Sequence, residues 1–207
     1  MTPIGESFVR DPACTLCPLS GGVRSVCIAA DGPLRARLLV VGEAPGAEED
    51  EYNPPRGRPF VGDAGRLLRP ALDALGVEYR LTNIVRCRPP DNRKPLATEW
   101  EVCRRYLQAD VDEMPGLEVV VLLGGIPCTA SGIKGPILGL AGIPLSGPYL
   151  GRAVSMVPLA HPGYLLRNPG YLDTWQSHWS VVRTLLSKPD DPARKIGARL
   201  LSYVEKL

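Results

Sequence analysis

A chain of 207 residues with a formal net charge of +2 is long enough to bury a full core as one domain, and residues 1–207 read as a single unit. So small a charge does not by itself mark a nucleic-acid binder, no apolar run approaches the length of a membrane span, and the N-terminus lacks the basic and apolar regions of a signal peptide. A cytoplasmic protein free of membranes is therefore expected, and in that compartment six cysteines point to metal binding or plain burial rather than to disulfides. Of the 24 basic residues, 19 are Arg and 5 are Lys. That balance fits planar contacts to phosphate or carboxylate, and equally a codon bias toward arginine.

In chain order, strand-like runs rich in Val, Ile and Leu occupy Arg37–Val41, Arg80–Val85, Glu118–Leu123 and Ala153–Leu159, as strands buried on both faces require. A helical pattern from Ala64 to Leu75, closed by Gly76, lies between the first two. Between the next two, Thr98-Glu99-Trp100-Glu101 reads as a capping box opening a helix to about Met114. The third connection, Pro127 to Leu150, is rich in Gly and Pro and predicts only a short helix. Helices over Tyr171–Ser187 and Ala193–Lys206 end the chain. Right-handed crossovers turn this order into a three-layer α/β/α sandwich around a central four-stranded parallel sheet.

In open parallel sheets, ligands sit outside the carboxyl ends of the strands. The first strand ends in Gly42-Glu43-Ala44-Pro45-Gly46, the second carries Thr82-Asn83, the third gives Gly124-Gly125, and the fourth delivers Ala160-His161-Pro162-Gly163. An amide, a carboxylate and an imidazole thus share one edge, beside Phe60 of the following loop. Taken singly, Asn83 or His161 would pass for an ordinary core polar group. Their shared placement makes them candidates.

Cys14 and Cys17 form a C-x-x-C pair ahead of the sheet, Cys87 follows the second strand, and Cys103 lies on the next helix. A zinc ribbon would want a second C-x-x-C pair, and scattered thiolates suit an iron–sulfur cluster as well as zinc. Spacing leaves these two, and no metal at all, open. Cys27 competes with Cys14 or Cys17 as a ligand, whereas Cys128 reads as buried.

Three stretches, "VVGEAPGAEED…GRPFVGDAGRLL", "LTNIVRCRPPDNRKP…E…C" and "HPGYLLRNP", resemble the family 4 uracil-DNA glycosylases, from Cys14 to about Pro169 and in the same order. The resemblance implies a four-iron, four-sulfur (4Fe-4S) cluster held by Cys14, Cys17, Cys87 and Cys103, and uracil-containing DNA, single- or double-stranded, as substrate of a monomeric enzyme. It also implies that Glu49 lies near C5 of the base, crowding out the thymine methyl. The residues suit that chemistry. Cleaving the glycosidic bond builds positive charge on the sugar and negative charge on the base, and the enzyme reaches the bond only after the nucleotide is flipped out. Phe60 can stack on uracil, and the Asn83 amide can accept from N3–H while donating to O4, its orientation fixed by some neighbouring group. His161 and the Ala44 N–H can donate to O2, and Glu43 can stabilise the cation or orient water. A non-catalytic iron–sulfur nucleic-acid-binding module of the same fold is the alternative. A phosphate loop at Gly42–Gly46 fails, since no Gly-Lys-Ser/Thr follows.

The chain also departs from the family pattern. Glu51-Tyr52-Asn53-Pro54-Pro55-Arg56 intervenes before Gly-Arg-Pro-Phe, and Gly163 stands where serine is usual. Asp63 matches the context of the catalytic aspartate in the related family 5 enzymes, so it competes with Glu43 as catalytic acid and equally reads as a helix N-cap. No basic insertion separates Asn83 from Cys87, which predicts turnover rather than a covalent uracil adduct. Arg86, Arg88, Arg93 and Lys94 form a candidate phosphate grip. One of Leu165 and Leu166 is expected to fill the gap left by the flipped base, and His178 reads as structural.

Overall fold

The computed structural model describes residues 10–187; the helix expected over Ala193–Lys206 lies outside them. Five strands form one sheet: β1 (Leu38–Gly42), β2 (Tyr79–Asn83), β3 (Val119–Leu123), β4 (Leu145–Tyr149) and β5 (Arg152–Leu159), in the order β2-β1-β3-β5-β4. Four are parallel, at the positions expected from the apolar runs, and β4 adds an antiparallel edge beside β5. This fifth strand, Leu-Ser-Gly-Pro-Tyr, carries no apolar run to announce it. An edge strand tolerates proline because one row of its N–H groups needs no partner.

Alternate strand residues feed two separate cores, as the period of two demands. Leu39, Val41, Val120, Leu122 and Met156 pack toward α3 (Ala97–Asp112), with Leu107 and Val111. Leu38, Val40, Val119, Val121, Leu123, Val157 and Leu159 pack toward α2 (Asp63–Asp73), with Leu68 and Leu72, and toward α7 (Leu172–Leu186), with Trp175, Trp179 and Val182. Every residue of β1 and of β3 is buried. Helices on both faces of a buried sheet make the three-layer sandwich.

Three local expectations change. Helix α3 starts earlier than Thr98: Glu99, not Glu101, is its third residue, and its carboxylate accepts the Leu96 N–H at 2.7 Å. The Pro127–Leu150 connection holds two short helices, α4 (Gly125–Ala130) and α5 (Ile137–Leu140), before β4. Asp63 is the first residue of α2 and not its N-cap, which is Gly62.

Candidate active site

The parallel strands do open onto one edge, and glycines let the side chains there close in. Gly42 ends β1 in register with Asn83 of β2. A Cβ on Gly42 would lie 2.4 Å from Asn83 Oδ1 and 2.5 Å from Phe60 Cζ, so only glycine admits both groups to the same face. Phe60 is buried, with a left-handed backbone (φ 57°). Gly65 lets that turn pack against α2, since a Cβ there would sit 1.9 Å from the Phe60 carbonyl oxygen. The Phe60 and His161 rings lie 6.4 Å apart between centroids, tilted by 33°. On the far side, a Cβ on Gly124 would come to 3.3 Å from His161 Cβ. Phe60, Asn83 and His161 therefore form one cluster at the ends of β1, β2, β3 and β5.

His161 caps the short helix α6 (Pro162–Leu165): its Nδ1 accepts the Gly163 N–H at 3.1 Å. Burial, reinforced by the positive charge of Arg167, pushes its pKa down to about 4. The imidazole is thus neutral, with Nδ1 engaged as an acceptor, and the proton resides on Nε2. Trp175 Nε1 donates to the Ala160 carbonyl at 3.0 Å and pins the backbone just before it. Burial pushes the half-buried Glu43 carboxyl above the ordinary carboxylate range, and nearby Lys94 offsets part of that rise. The Ala44 N–H, on the same loop, has no acceptor among the described residues.

The acidic helix α1 (Ala47–Glu51) proves to be scaffold. Glu49 accepts the N–H groups of Gly46 at 3.0 Å, Val61 at 3.0 Å and Gly62 at 2.8 Å, which staples the strand-end loop to the start of α2. With both oxygens engaged by backbone donors, this carboxylate clamps the loop. Asp50 takes the N–H groups of Arg24 and Ser25 and moors the cysteine-bearing N-terminal segment. Glu48 pairs with Arg66 at 3.0 Å.

Other sequence candidates separate. The Asp63 side chain is 70% exposed and paired with Arg66 at 2.7 Å, outside the buried cluster. Arg86 is buried, bonded to Asp110 and to the carbonyls of Ile28 and Tyr106, and cannot reach DNA. Arg93 is held by Glu99. Lys94 remains exposed and Arg88 half-exposed. Leu165 is buried at 3% exposure while Leu166 stands out at 53%, so of the two only Leu166 is on the surface. His178 packs against Tyr171 and Gly142, a structural position. No side-chain hydrogen bond to the Asn83 amide is found among the described residues, contrary to the orienting partner expected; the amide oxygen lies where a side chain on Gly42 would fall.

Cys14, Cys17, Cys87 and Cys103 line one cavity, together with Cys27, Val85, Val102 and Tyr106. The Cys27 N–H points at Cys87 Sγ, 3.3 Å away. Burial pushes the Cys87 and Cys103 thiols up to about 12. Among the described residues, no three His, Cys, Asp or Glu side chains are gathered closely enough to hold a metal ion. Cys128 is buried in the core, apart from this cavity. No helix among the described residues is long and apolar enough to cross a membrane.

Sequence reading missed Gly42 as a site residue, although a glycine ending an apolar strand is the signal for a close approach. It also missed Asp31 and Arg69. The Arg69 guanidinium donates to the carbonyls of Pro59 and Phe60, each at 2.9 Å, and to Asp31 at 2.9 Å, holding the Phe60 turn from behind. Nothing in their local sequence marks either residue.

A buried ring, an amide and a neutral imidazole at the strand ends of a three-layer α/β sandwich accord with the family model that matches residues 29–184, that of the uracil DNA glycosylase superfamily; the chain belongs to this superfamily. Within it, the chain is 39% identical over 164 residues to a type-4 uracil-DNA glycosylase of Thermotoga maritima, covering 77% of this chain and 81% of that one. It is 37% identical to a type-4 uracil-DNA glycosylase of Pyrobaculum aerophilum, over 79% of this chain and 84% of the relative. A type-5 uracil-DNA glycosylase of Thermus thermophilus is 32% identical over 60% of this chain and 70% of its own.

Proposed function

We propose that the protein is a DNA-repair glycosylase that flips uracil out of DNA and hydrolyses its N-glycosidic bond, leaving an abasic site. The observation that carries this reading is the closure of Phe60 and Asn83 on Gly42 beside a neutral His161. The flipped base stacks on Phe60. The Asn83 amide accepts from N3–H and donates to O4. As the bond to C1′ stretches, negative charge collects on O2, where His161 Nε2–H and the Ala44 N–H donate to it; such preorganised donors act most strongly where charge develops. A neutral imidazole suits this task, because it stabilises the anion without having to lose a proton. Glu43, desolvated in the cleft, stabilises the sugar cation or orients the water that attacks C1′. Leu166 fills the gap in the stack, while Arg88 and Lys94 grip phosphates. Glu49 acts through the loop it clamps.

Cys14, Cys17, Cys87 and Cys103 would hold a four-iron, four-sulfur cluster. The donor set fits: four thiols line one apolar cavity. Four thiolates are the donor set of a four-iron, four-sulfur cluster, which would take one at each iron. Glycosidic hydrolysis needs no electron transfer, so these four residues would use a cluster structurally, tying the N-terminal segment and the loop after Asn83 to α3. Cys27 supplies an N–H to a ligand sulfur. The reading includes a monomeric cytoplasmic enzyme formed by one domain.

The test is release of free uracil from a labelled uracil-containing oligonucleotide, with a nucleoside triphosphate as control. Uracil release without triphosphate cleavage is expected; binding without release would return the protein to the non-catalytic class.

A further inference from the structure

Arg86 is a buried cation for which the uracil chemistry has no use. It lines the same cavity as Cys14, Cys17, Cys27, Cys87 and Cys103, with 2% of its surface exposed. Its Nη1 donates to the Ile28 carbonyl at 3.1 Å, and the Ile28 N–H donates back to the Arg86 carbonyl at 2.9 Å. Its Nη2 donates to the Tyr106 carbonyl at 3.3 Å and to Asp110. The Nε–H is buried with no acceptor among the described residues.

These bonds brace the cavity wall at three places. Ile28 follows Cys27, whose left-handed backbone (φ 51°) goes with an N–H aimed at Cys87 Sγ. Arg86 itself precedes Cys87, and Tyr106 lies about one helical turn past Cys103 on α3.

The charge of Arg86 is only partly answered by the fold. Asp110, fully buried, accepts Arg86 Nη2 and the Thr82 hydroxyl on one oxygen, while the other lies 3.9 Å from Nη2 of Arg80, which is also fully buried. Of these two guanidiniums, only Arg86 lines the cysteine cavity. Burial pushes up the Cys27 and Cys103 thiols, and the positive charge of Arg86 opposes that rise at both. A buried cation with an unused donor is costly unless an anion lies within reach. Four thiolates on a metal centre are such an anion, because their negative charge outweighs the positive charge of the core they hold.

We infer that Arg86 is the internal counter-cation of the cysteine site. It positions the Cys27 and Cys87 segments and offers its Nε–H and its charge to the thiolate-bound metal group. The assignment rests on the reading of Cys14, Cys17, Cys87 and Cys103 as cluster ligands.

The test uses full-length protein purified without air. Iron per chain and the rate at which a ferrous chelator bleaches the visible absorption are measured, with circular dichroism as the check on folding. Asp110→Asn removes the carboxylate partner and keeps the cation. Arg86→Met/Asp110→Leu removes both charges and leaves neither unpaired, a change that buried ion pairs often tolerate. If Arg86 served Asp110 alone, the double variant would hold iron as the parent does. Bleaching at least about tenfold faster in the double variant than in Asp110→Asn is expected instead, the usual cost of losing a group that supports metal ligands. Arg86→Lys, which keeps the charge, should bleach more slowly than Arg86→Gln. Equal bleaching of the double variant and Asp110→Asn would overturn the proposal. So would equal rates for Arg86→Lys and Arg86→Gln, the comparison that decides if the double variant does not fold. A parent without iron would sink the cluster reading and this one with it, whereas an iron-bearing parent matched by its variants sinks this one alone.

Discussion

The Nδ1 atom of His161 accepts the Gly163 N–H at 3.1 Å, and that bond fixes which ring nitrogen carries the proton. With Nδ1 occupied, the proton lies on Nε2, the atom proposed to donate to O2 of uracil. His161→Ala should cut the single-turnover excision rate at least about a hundredfold, as loss of an oxyanion-type donor does. Binding to DNA should weaken far less, because phosphate contacts dominate affinity. Unchanged excision would leave His161 only its role as a helix cap.

The pH dependence separates His161 from Glu43. Burial holds His161 down to about 4, so its protonation state is constant above about pH 5. Burial raises Glu43, so its ionised form is lost at a higher pH than for an ordinary carboxylate. The acid limb of the excision rate should therefore belong to Glu43, lie at higher pH than an ordinary carboxylate would give, and vanish in Glu43→Gln, whose residual rate stays flat. Asp63→Asn should change little, since that carboxylate is exposed and paired with Arg66. The reverse pattern would transfer the catalytic role to Asp63. Stability follows the opposite logic for the histidine. The unfolded chain takes up its proton from about pH 6.5 downward, whereas the fold resists until about 4, so stability falls as the pH drops through that window.

Base reading is tested at Asn83 and Gly42 together. Asn83→Ala should lose most uracil excision, because the edge of the base would be left unpaired. Gly42→Ala should do the same without removing any polar group, its Cβ meeting Asn83 Oδ1 at 2.4 Å and Phe60 Cζ at 2.5 Å. Uracil and cytosine release from matched oligonucleotides is the measurement. Excision at the parent rate by Asn83→Ala would dismiss this residue as the reader.

The two leucines should part company. Leu165→Ala, in the core, should cost about 2–5 kcal/mol of stability. Leu166→Ala should leave the melting temperature unchanged and slow excision from duplex more than from single strands, where no stack needs filling. Thermal unfolding and paired single-turnover assays distinguish them. Equal excision from both substrates would remove Leu166 from the interface.

Protein purified without air should be brown, with a broad visible absorption that bleaches on loss of iron. Cys87→Ala and Cys103→Ala should lose the colour and lower the melting temperature, since ligation is coupled to folding. A colourless protein with one zinc per chain would contradict the cluster.

How much of this was legible without coordinates follows from the range of each interaction. Local pattern sufficed for the four parallel strands, because strands buried on both faces must be apolar throughout, and chain order with handed crossovers then brought Glu43, Asn83, Gly124 and His161 to one edge. It also brought Cys14, Cys17, Cys87 and Cys103 forward as a set. β4 escaped, because an edge strand answers to its neighbour's backbone and not to its own hydrophobicity. So did the fates of the charged residues. Glu48, Glu49 and Asp50 are alike in sequence, yet one pairs with Arg66, one clamps three backbone amides and one moors residues 24 and 25. Arg86 and Lys94 stand in one basic stretch, yet the first is buried on Asp110 and the second is exposed. Partners 10 to 40 residues away decide such cases, and only the tertiary structure says which donor arrives at which oxygen. Composition and spacing determined the fold class and the inventory of chemistry; packing decided which leucine stands free, which carboxylate stays unbound, and which proton the histidine holds.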